Sequence, residues 1–367
     1  MNNSLATEVK SKTSTVCWLA AEELGAWDKF VARHPFGLIY HLSAWRSVLE
    51  NAFDHIRGDF VVVKNGDGEI RSGLPVYNVT SWLLKNRKVS VPFATFCDPL
   101  VSSGDDFTLL WNAVEESARE HGCRRVEIRT RRMDTSLIPT SLTAGARYKH
   151  HYLPLNGSLD ELFRRLHASC IRRRLQQAKR AGLTVERRQD IQSVRCLHTF
   201  LVETRRRLGL PPIPLEFFES AHHCLGPDRL SVYLAVHRGT PVGGALVVKF
   251  KDMWTAEYSG HADEAPAGTD QCVYWHAIEC AKNSGAASFS FGRTSLDNQG
   301  LLDYKRRWAT IEEDLTDFIA YLDGSPARST KSLKAVHPAF YLSARLLRHT
   351  PTRVQKYFGD FCYRHLG

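Results

Sequence analysis

The chain has 367 residues, 43% of them apolar and 24% charged, with 49 Lys/Arg against 39 Asp/Glu and a formal net charge of +10. That length holds two cores of ordinary size, and the composition is that of a globular protein rather than a disordered one. No apolar run is long enough to span a bilayer. The nine cysteines include no C-x-x-C pair, which argues against zinc or any other metal site and fits reduced thiols.

In chain order, Val16–Leu19 reads as a strand and Ala21–Arg33 as a helix with Leu24, Trp27, Phe30 and Val31 at helical spacing. His34-Pro-Phe36 breaks it, and Ser43 is placed to cap a second helix through Trp45, Val48 and Leu49. Strands Phe60–Lys64 and Ile70–Tyr77 flank Asn65-Gly-Asp-Gly68, a hairpin signal. A strand over Val89–Cys97, a helix over Asp105–His121 and a strand over Cys123–Thr130 follow.

The second half repeats the rhythm. Helices are expected over Leu159–His167, Ser169–Ala181, Ile191–Leu208 and Pro214–Cys224, with a strand over Leu183–Arg188. A hairpin, Leu230–His237 with Val242–Phe250, turns at Arg238-Gly-Thr-Pro241, and Met253–Gly260 is a third strand. Thr269 or Asp270 caps a helix reaching Ser284; Ala287–Gly292 and Ile311–Leu322 are strands on either side of a helix carrying Tyr304, Lys305 and Trp308. The pattern predicts a mixed α/β chain with units at 1–150 and 151–323. A basic helical tail at 324–367 presents Phe340, Tyr341, Leu346, Leu347, Val354, Tyr357, Phe358, Phe361 and Cys362.

The positive charge is concentrated. Arg164–Arg188 holds nine Arg/Lys against one Glu, and the tail holds eight against one Asp, leaving the remainder net negative. Such zones attract phosphates, nucleic acid or an anionic membrane surface. Arg172, Arg173, Arg174, Lys179 and Arg180 crowd one short helix whose apolar stripe is Ile171, Leu175 and Ala178. Like charges at that density are unfavourable unless an anion neutralises them, and arginine forks suit phosphate oxygens. In the tail, Arg345, Arg348, Arg353 and Lys356 alternate with apolar residues and suit either docking on the protein or contact with lipid headgroups.

Phe289-Ser-Phe-Gly-Arg-Thr-Ser295 ends a strand on a glycine and an arginine, with Tyr304, Lys305 and Trp308 following on a helix. A glycine lets backbone approach a ligand, and the arginine and lysine beside it suit an anionic substrate. Phe36, Tyr40, His41 and Trp45, with Pro92-Phe93 and Asp98-Pro99 further on, either line a cleft or pack a core.

These elements together resemble the FemAB-like acyltransferases of the GNAT (acyl-CoA N-acyltransferase) superfamily. The matching residues are His34-Pro35, Tyr40-His41 and Trp45; Ile171-Arg-Arg-Arg174 with Lys179-Arg-Ala-Gly-Leu183; Leu208-Gly209, Pro211, Phe217 and Phe218; and Phe289–Ser295 with Tyr304-Lys305. The resemblance implies two tandem GNAT-like domains and transfer of an acyl or aminoacyl group to an amine of a cell-envelope, nucleotide-sugar or polysaccharide-related acceptor. It implies acyl-CoA or aminoacyl-tRNA as donor, a small or nucleotide-linked anionic acceptor, and tRNA or an acyl-carrier protein among the partners. Lys305 and Arg293 become the catalytic expectation. Arg172, Arg173, Tyr304, Tyr40, His41, Trp45 and Trp308 become the substrate-binding one. Gly268 and Thr269, at the helix start where GNAT proteins hold pyrophosphate, are the expected cofactor contacts, although the usual Q/R-x-x-G-x-G/A form is missing and Asp270 opposes an anion there. Asp98, His41, Glu257 and His261 are all conceivable general bases. The alternatives are a nucleic-acid-binding protein without catalysis, or a membrane-surface assembly protein on a degenerate GNAT fold. The polar segment Met1–Lys12 has no apolar signal core, so the expected place is the cytoplasm, with the tail at the inner membrane face as a variant.

Overall fold

The computed structural model describes residues 14–131, 138–324 and 352–366. The first half runs β1 (Thr15–Trp18), α1 (Leu24–Arg33), α2 (Ser43–Ala52), β2 (Ile56–Lys64), β3 (Ile70–Val79), β4 (Arg87–Val89), α3 (Gly104–Glu120) and β5 (Arg125–Thr130). β6 (Thr143–Pro154), α4 (Leu159–Arg165), α5 (Arg173–Arg180), β7 (Thr184–Arg188), α6 (Ile191–Leu208) and α7 (Leu215–Arg229) follow. The chain continues through β8 (Leu230–His237), β9 (Thr240–Phe250), β10 (Met253–His261), α8 (Thr269–Asn283), β11 (Ser288–Ser295), α9 (Gln299–Arg306), β12 (Ile311–Tyr321) and α10 (Thr352–Tyr363).

All twelve strands form one mixed sheet in the order β1-β2-β3-β4-β5-β12-β6-β11-β10-β9-β8-β7. The last strand, β12, is inserted antiparallel between β5 and β6. Alternate residues feed opposite faces, as strand geometry requires. On β2, Phe60 and Val62 enter a core with α1, α2, α6 and α7, whereas Val61 and Val63 enter one with α3. On β8 and β9, Val232, Leu234, Leu246 and Val248 join the first core, and Tyr233, Ala235, Ala245 and Val247 join a third, with Ile171, Val273 and Ile278. The first core mixes both halves of the chain: Trp45 meets Phe217 edge-on at 6.3 Å, and Ser220 Oγ donates to the Val48 carbonyl at 3.0 Å.

Three local expectations are corrected. β4 stops at Val89 instead of reaching Cys97, because Pro92 has no N–H to offer a ladder and Phe93 takes φ +55, outside strand geometry. β6 was not expected at all; its Tyr148-Lys-His-His-Tyr152 stretch is polar because β12 supplies partners. Lys149 Nζ lies 3.2 Å from Glu312, His151 Nε2 3.1 Å from the same carboxylate, and Tyr152 OH donates to Glu313 at 3.0 Å. At α2, Ser43 is not the cap; its N–H and hydroxyl donate to Asp28 at 2.8 and 2.6 Å. Of the tail, Phe340, Tyr341, Leu346, Leu347, Arg345 and Arg348 lie outside the described residues, as do the side chains of Arg353, Val354 and Lys356.

Candidate active site

β10 and β11 are parallel neighbours for only three pairs, ending at Thr255↔Ser290. Past that height both strands also break register with their outer neighbours, β10 against β9 between Ala256 and Tyr258, and β11 against β6 between Ser290 and Arg293. Glu257 is the extra residue of the first break, a bulge that re-aims its side chain. Gly292, at φ +68, occupies the second, in a conformation that glycine adopts without the clash a Cβ brings. The two strands open here around a cavity of about 490 Å³. Its wall carries Glu257, Lys305, Arg293 and Arg205 among Phe53, Phe93, Phe217, Tyr258, Phe291 and Tyr363.

Asn298 caps α9 by accepting the Leu301 N–H at 3.2 Å, and α9 then delivers Lys305 to the opening. Lys305 is 6% exposed, and its ammonium donates to the carbonyls of Gly292 at 3.1 Å and Arg293 at 3.3 Å. Burial pushes its pKa down to about 7, opposed by the Glu257 charge. Burial pushes Glu257 up to about 7, opposed first by the hydrogen bond that Tyr40 OH donates to it and then by Lys305. A carboxyl and an amine thus share one opening, with burial moving both toward neutrality, an arrangement suited to proton transfer. Arg293 stacks its guanidinium over Tyr148 at 4.3 Å and lies 3.6 Å from Asp317. Arg205 donates to the Pro211 carbonyl at 2.6 Å and to Tyr363 OH at 3.0 Å, which ties α10 to the rim. Ser259 Oγ and Tyr274 OH, 2.8 Å apart, add two hydroxyls to the wall.

Residues 167–306 match the family model for an acetyltransferase (GNAT) domain. The fold is similar to the crystal structure of FemX, with a TM-score of 0.66, 14% identity, and coverage of 84% of this chain and 98% of that one. Residues 167–306 are thus similar to a GNAT domain, and the fold of the chain is like that of FemX. A tandem GNAT protein from the clavulanic acid biosynthesis pathway is also similar, at TM-score 0.53 and 14% identity, covering 86% of this chain and 100% of that one. So is the C-terminal domain of a putative lysylphosphatidylglycerol synthetase from Agrobacterium fabrum, at TM-score 0.52 and 15% identity, covering 82% and 92%. No curated protein sequence matches the chain.

The GNAT segment supplies Arg205, Glu257, Arg293 and Lys305; Phe53, Phe93, Thr95 and Tyr363 close the cavity from outside it. Lys305 and Arg293 therefore meet in one cavity. Tyr40 stands behind Glu257, and Trp45, edge-on to Tyr40 at 5.0 Å, supports that tyrosine from the core. Trp308 is fully buried behind the wall, 5.5 Å from Phe291 and 5.8 Å from Tyr274, and Tyr304 packs against Trp308 rather than lining the opening.

The remaining expectations move. His41 is buried away from the cavity wall: Nε2–H donates to the Asp98 carbonyl at 2.9 Å, Nδ1 accepts the Leu38 N–H at 3.1 Å, and burial lowers its pKa to about 4. Asp98 accepts the Arg131 N–H at 2.8 Å, and His261 is paired with Asp270 at 3.0 Å, which leaves Glu257 as the carboxylate facing Lys305. Arg172 and Arg173, at the start of α5, are not part of the cavity wall. Gly268 and Thr269 are not either: a Cβ on Gly268 would sit 2.2 Å from the Arg174 carbonyl, so this glycine lets α5 rest on the start of α8, and Thr269 is buried with its hydroxyl on the Pro266 carbonyl at 2.7 Å. Sequence reasoning missed the contributions of Phe53, Ser259, Tyr274 and Tyr363; nothing in their spacing marks them, since they converge only through the sheet and α10.

Proposed function

We propose that the chain transfers an acyl or aminoacyl group from an ester or thioester to an amine in the cavity between β10 and β11. The observation that carries this is the pairing of Glu257 and Lys305 across one opening, each held near a pKa of 7 by burial. The amine nitrogen bonds to the acyl carbonyl carbon, and the bond to the ester oxygen or thioester sulfur breaks with its electron pair. One proton passes from nitrogen to the Glu257 carboxylate; Lys305 steadies the charge on the carbonyl oxygen and returns a proton to the departing group. Proton exchange between the two side chains restores the starting state. Arg293 and Arg205 hold an anionic portion of the reactants at the rim. By similarity to the lysylphosphatidylglycerol synthetase domain and to FemX, the acceptor belongs to the cell envelope.

The start of α8 favours an aminoacyl-tRNA over acyl-CoA as donor. Asp270 lies in its first turn, and the Arg174 carbonyl covers Gly268, which leaves a diphosphate poorly received there. Exposed Arg173, Arg174, Lys179 and Arg180 along α5 provide an alternative cationic track for a large polyanion. Incubating the protein with labelled acetyl-CoA, a charged tRNA pool and a carrier-protein thioester, each with an amine mixture, is expected to consume the tRNA-borne label. Lys305→Met is expected to lower that rate at least about a hundredfold with an unchanged circular dichroism spectrum. Salt-dependent tRNA binding with no transfer from any donor would instead establish the nucleic-acid-binding alternative.

A further inference from the structure

α10 has two unlike sides. Its inner side is built into the protein: Tyr363 lines the cavity, and a Cβ on Gly359 would lie 2.4 Å from the Pro212 carbonyl. The chain just beyond it is also held, with the His365 ring 3.1 Å from Ser81 Oγ, its carbonyl accepting Arg87 at 3.2 Å, and the Leu366 carbonyl accepting His55 at 2.8 Å. The outer side is different. Tyr357 is 78% exposed and Phe361, one turn on and on the same face, 47% exposed. Trp82, on the turn between β3 and β4, is 73% exposed, with Leu83 beside it. Trp82 and Phe361 flank one ring, that of His365, at 5.1 and 5.2 Å, so Trp82 from the first half of the chain joins the Tyr357–Phe361 face of α10 in one strip.

Fixed exposed aromatics of this kind are seldom left uncovered. Lys85 and Arg364, both exposed, border the strip, and Asp360 lies half-buried on the flank of α10. The sequence leading into α10, Ser325 to Pro351, adds five Arg/Lys and no Asp or Glu. Trp and Tyr side chains beside cations fit the boundary between headgroups and acyl chains, where an apolar ring body and a polar edge are both satisfied. Basic residues nearby draw such a face to anionic lipid. No helix among the described residues is long and apolar enough to cross a membrane, so the contact is peripheral.

We propose that the Trp82–Tyr357–Phe361 strip docks the protein on an anionic lipid bilayer. The inner side of the same helix helps wall the cavity, so docking brings that cavity beside the bilayer surface. The proposal is independent of which donor or acceptor reacts. Full-length protein is floated on a density gradient with phosphatidylcholine vesicles, with and without phosphatidylglycerol. The expected result is flotation with the anionic vesicles, weakened by salt, and little with the neutral ones. Trp82→Ser/Tyr357→Ser/Phe361→Ser is expected to lower the bound fraction at least about tenfold while melting at the wild-type temperature, since all three side chains project outward. No flotation of the wild type, or equal flotation of the triple variant, overturns the proposal. A concentration-dependent dimer in sedimentation that the triple variant abolishes also overturns it, by showing a second copy of the chain as the occupant.

Discussion

Glu257 sits where strand pairing fails, and its proton affinity depends on Tyr40 and Lys305 as well as on burial. The hydroxyl of Tyr40 donates to its carboxylate, favouring the ionised form and holding down a pKa that burial drives up. In the proposed reaction the base must be ionised, so transfer is expected to rise as pH climbs through the Glu257 pKa. Lys305 must be protonated, so transfer falls as pH climbs through the Lys305 pKa. With both near 7 the profile is a narrow bell whose limbs belong to the coupled pair. Tyr40→Phe removes the stabilising donor, so the Glu257 pKa rises and the acid limb moves to higher pH; Glu257→Gln abolishes that limb and lowers the rate by about 10²–10⁴-fold. The check is the pH dependence of kcat/KM for the three proteins. An unshifted acid limb in Tyr40→Phe would detach that limb from Glu257. The sequence already offered Glu257 among four conceivable bases. Nothing in the sequence sets Glu257 apart from the other three, because a bulge is a property of two strands and not of one.

At the scale of elements, α8 depends on Gly268, which has φ +96 and so little room that an added Cβ meets the Arg174 carbonyl at 2.2 Å. Gly285, just past the end of the same helix, has φ +83 but nothing within 4 Å of an added Cβ. Alanine at either site costs about 1–3 kcal/mol in backbone strain, and at Gly268 it must also push α5 away. Thermal melting should therefore show Gly268→Ala several degrees below Gly285→Ala; equal melting temperatures would mean that α5 does not rest on that helix start. The same contrast shows what was readable in advance. Asn65–Gly68 and the stop at Gly209, which takes φ +68, follow from local backbone chemistry, and both fall where expected. β6 was invisible because its polar face is satisfied by Glu312 and Glu313, far along the chain. The arginines of α5 stand on a helix as their spacing predicts, and Arg172 and Arg173 lie outside the cavity wall; charge density reveals an affinity for anions without saying which surface meets them. Lys305 and Arg293 line the same cavity because a glycine-bearing strand and the following helix keep the two close in space as well as in sequence.

Across the whole molecule, the site depends on contacts that bind one half of the chain to the other. β12, near the C-terminal end of the sheet-forming chain, pairs with β5 over Thr316–Tyr321 and with β6 from Ile311 to Ile319. The core shared by α2 and α7 draws Trp45, Val48 and Phe53 from one half and Phe217, Val232 and Leu246 from the other. Phe53 and Phe93 face Phe217 across the cavity wall, with Phe53 and Phe217 rings 5.9 Å apart, so the opening exists only while both halves are folded and joined. Unfolding one half strips β12 of a neighbour and exposes the aromatic faces of the other, a penalty large enough to couple the two despite the length of the chain. Heat unfolding should then be one transition: tryptophan fluorescence and far-ultraviolet circular dichroism superimpose, and the calorimetric enthalpy matches the van't Hoff value. Phe217→Ala, which leaves a cavity in the shared core at a cost of about 3–5 kcal/mol, should lower that single midpoint without splitting it. If instead the variant separates the melt into two steps, each half carries its own stability, and the cavity becomes a joint between independently folding units rather than a feature of one sheet.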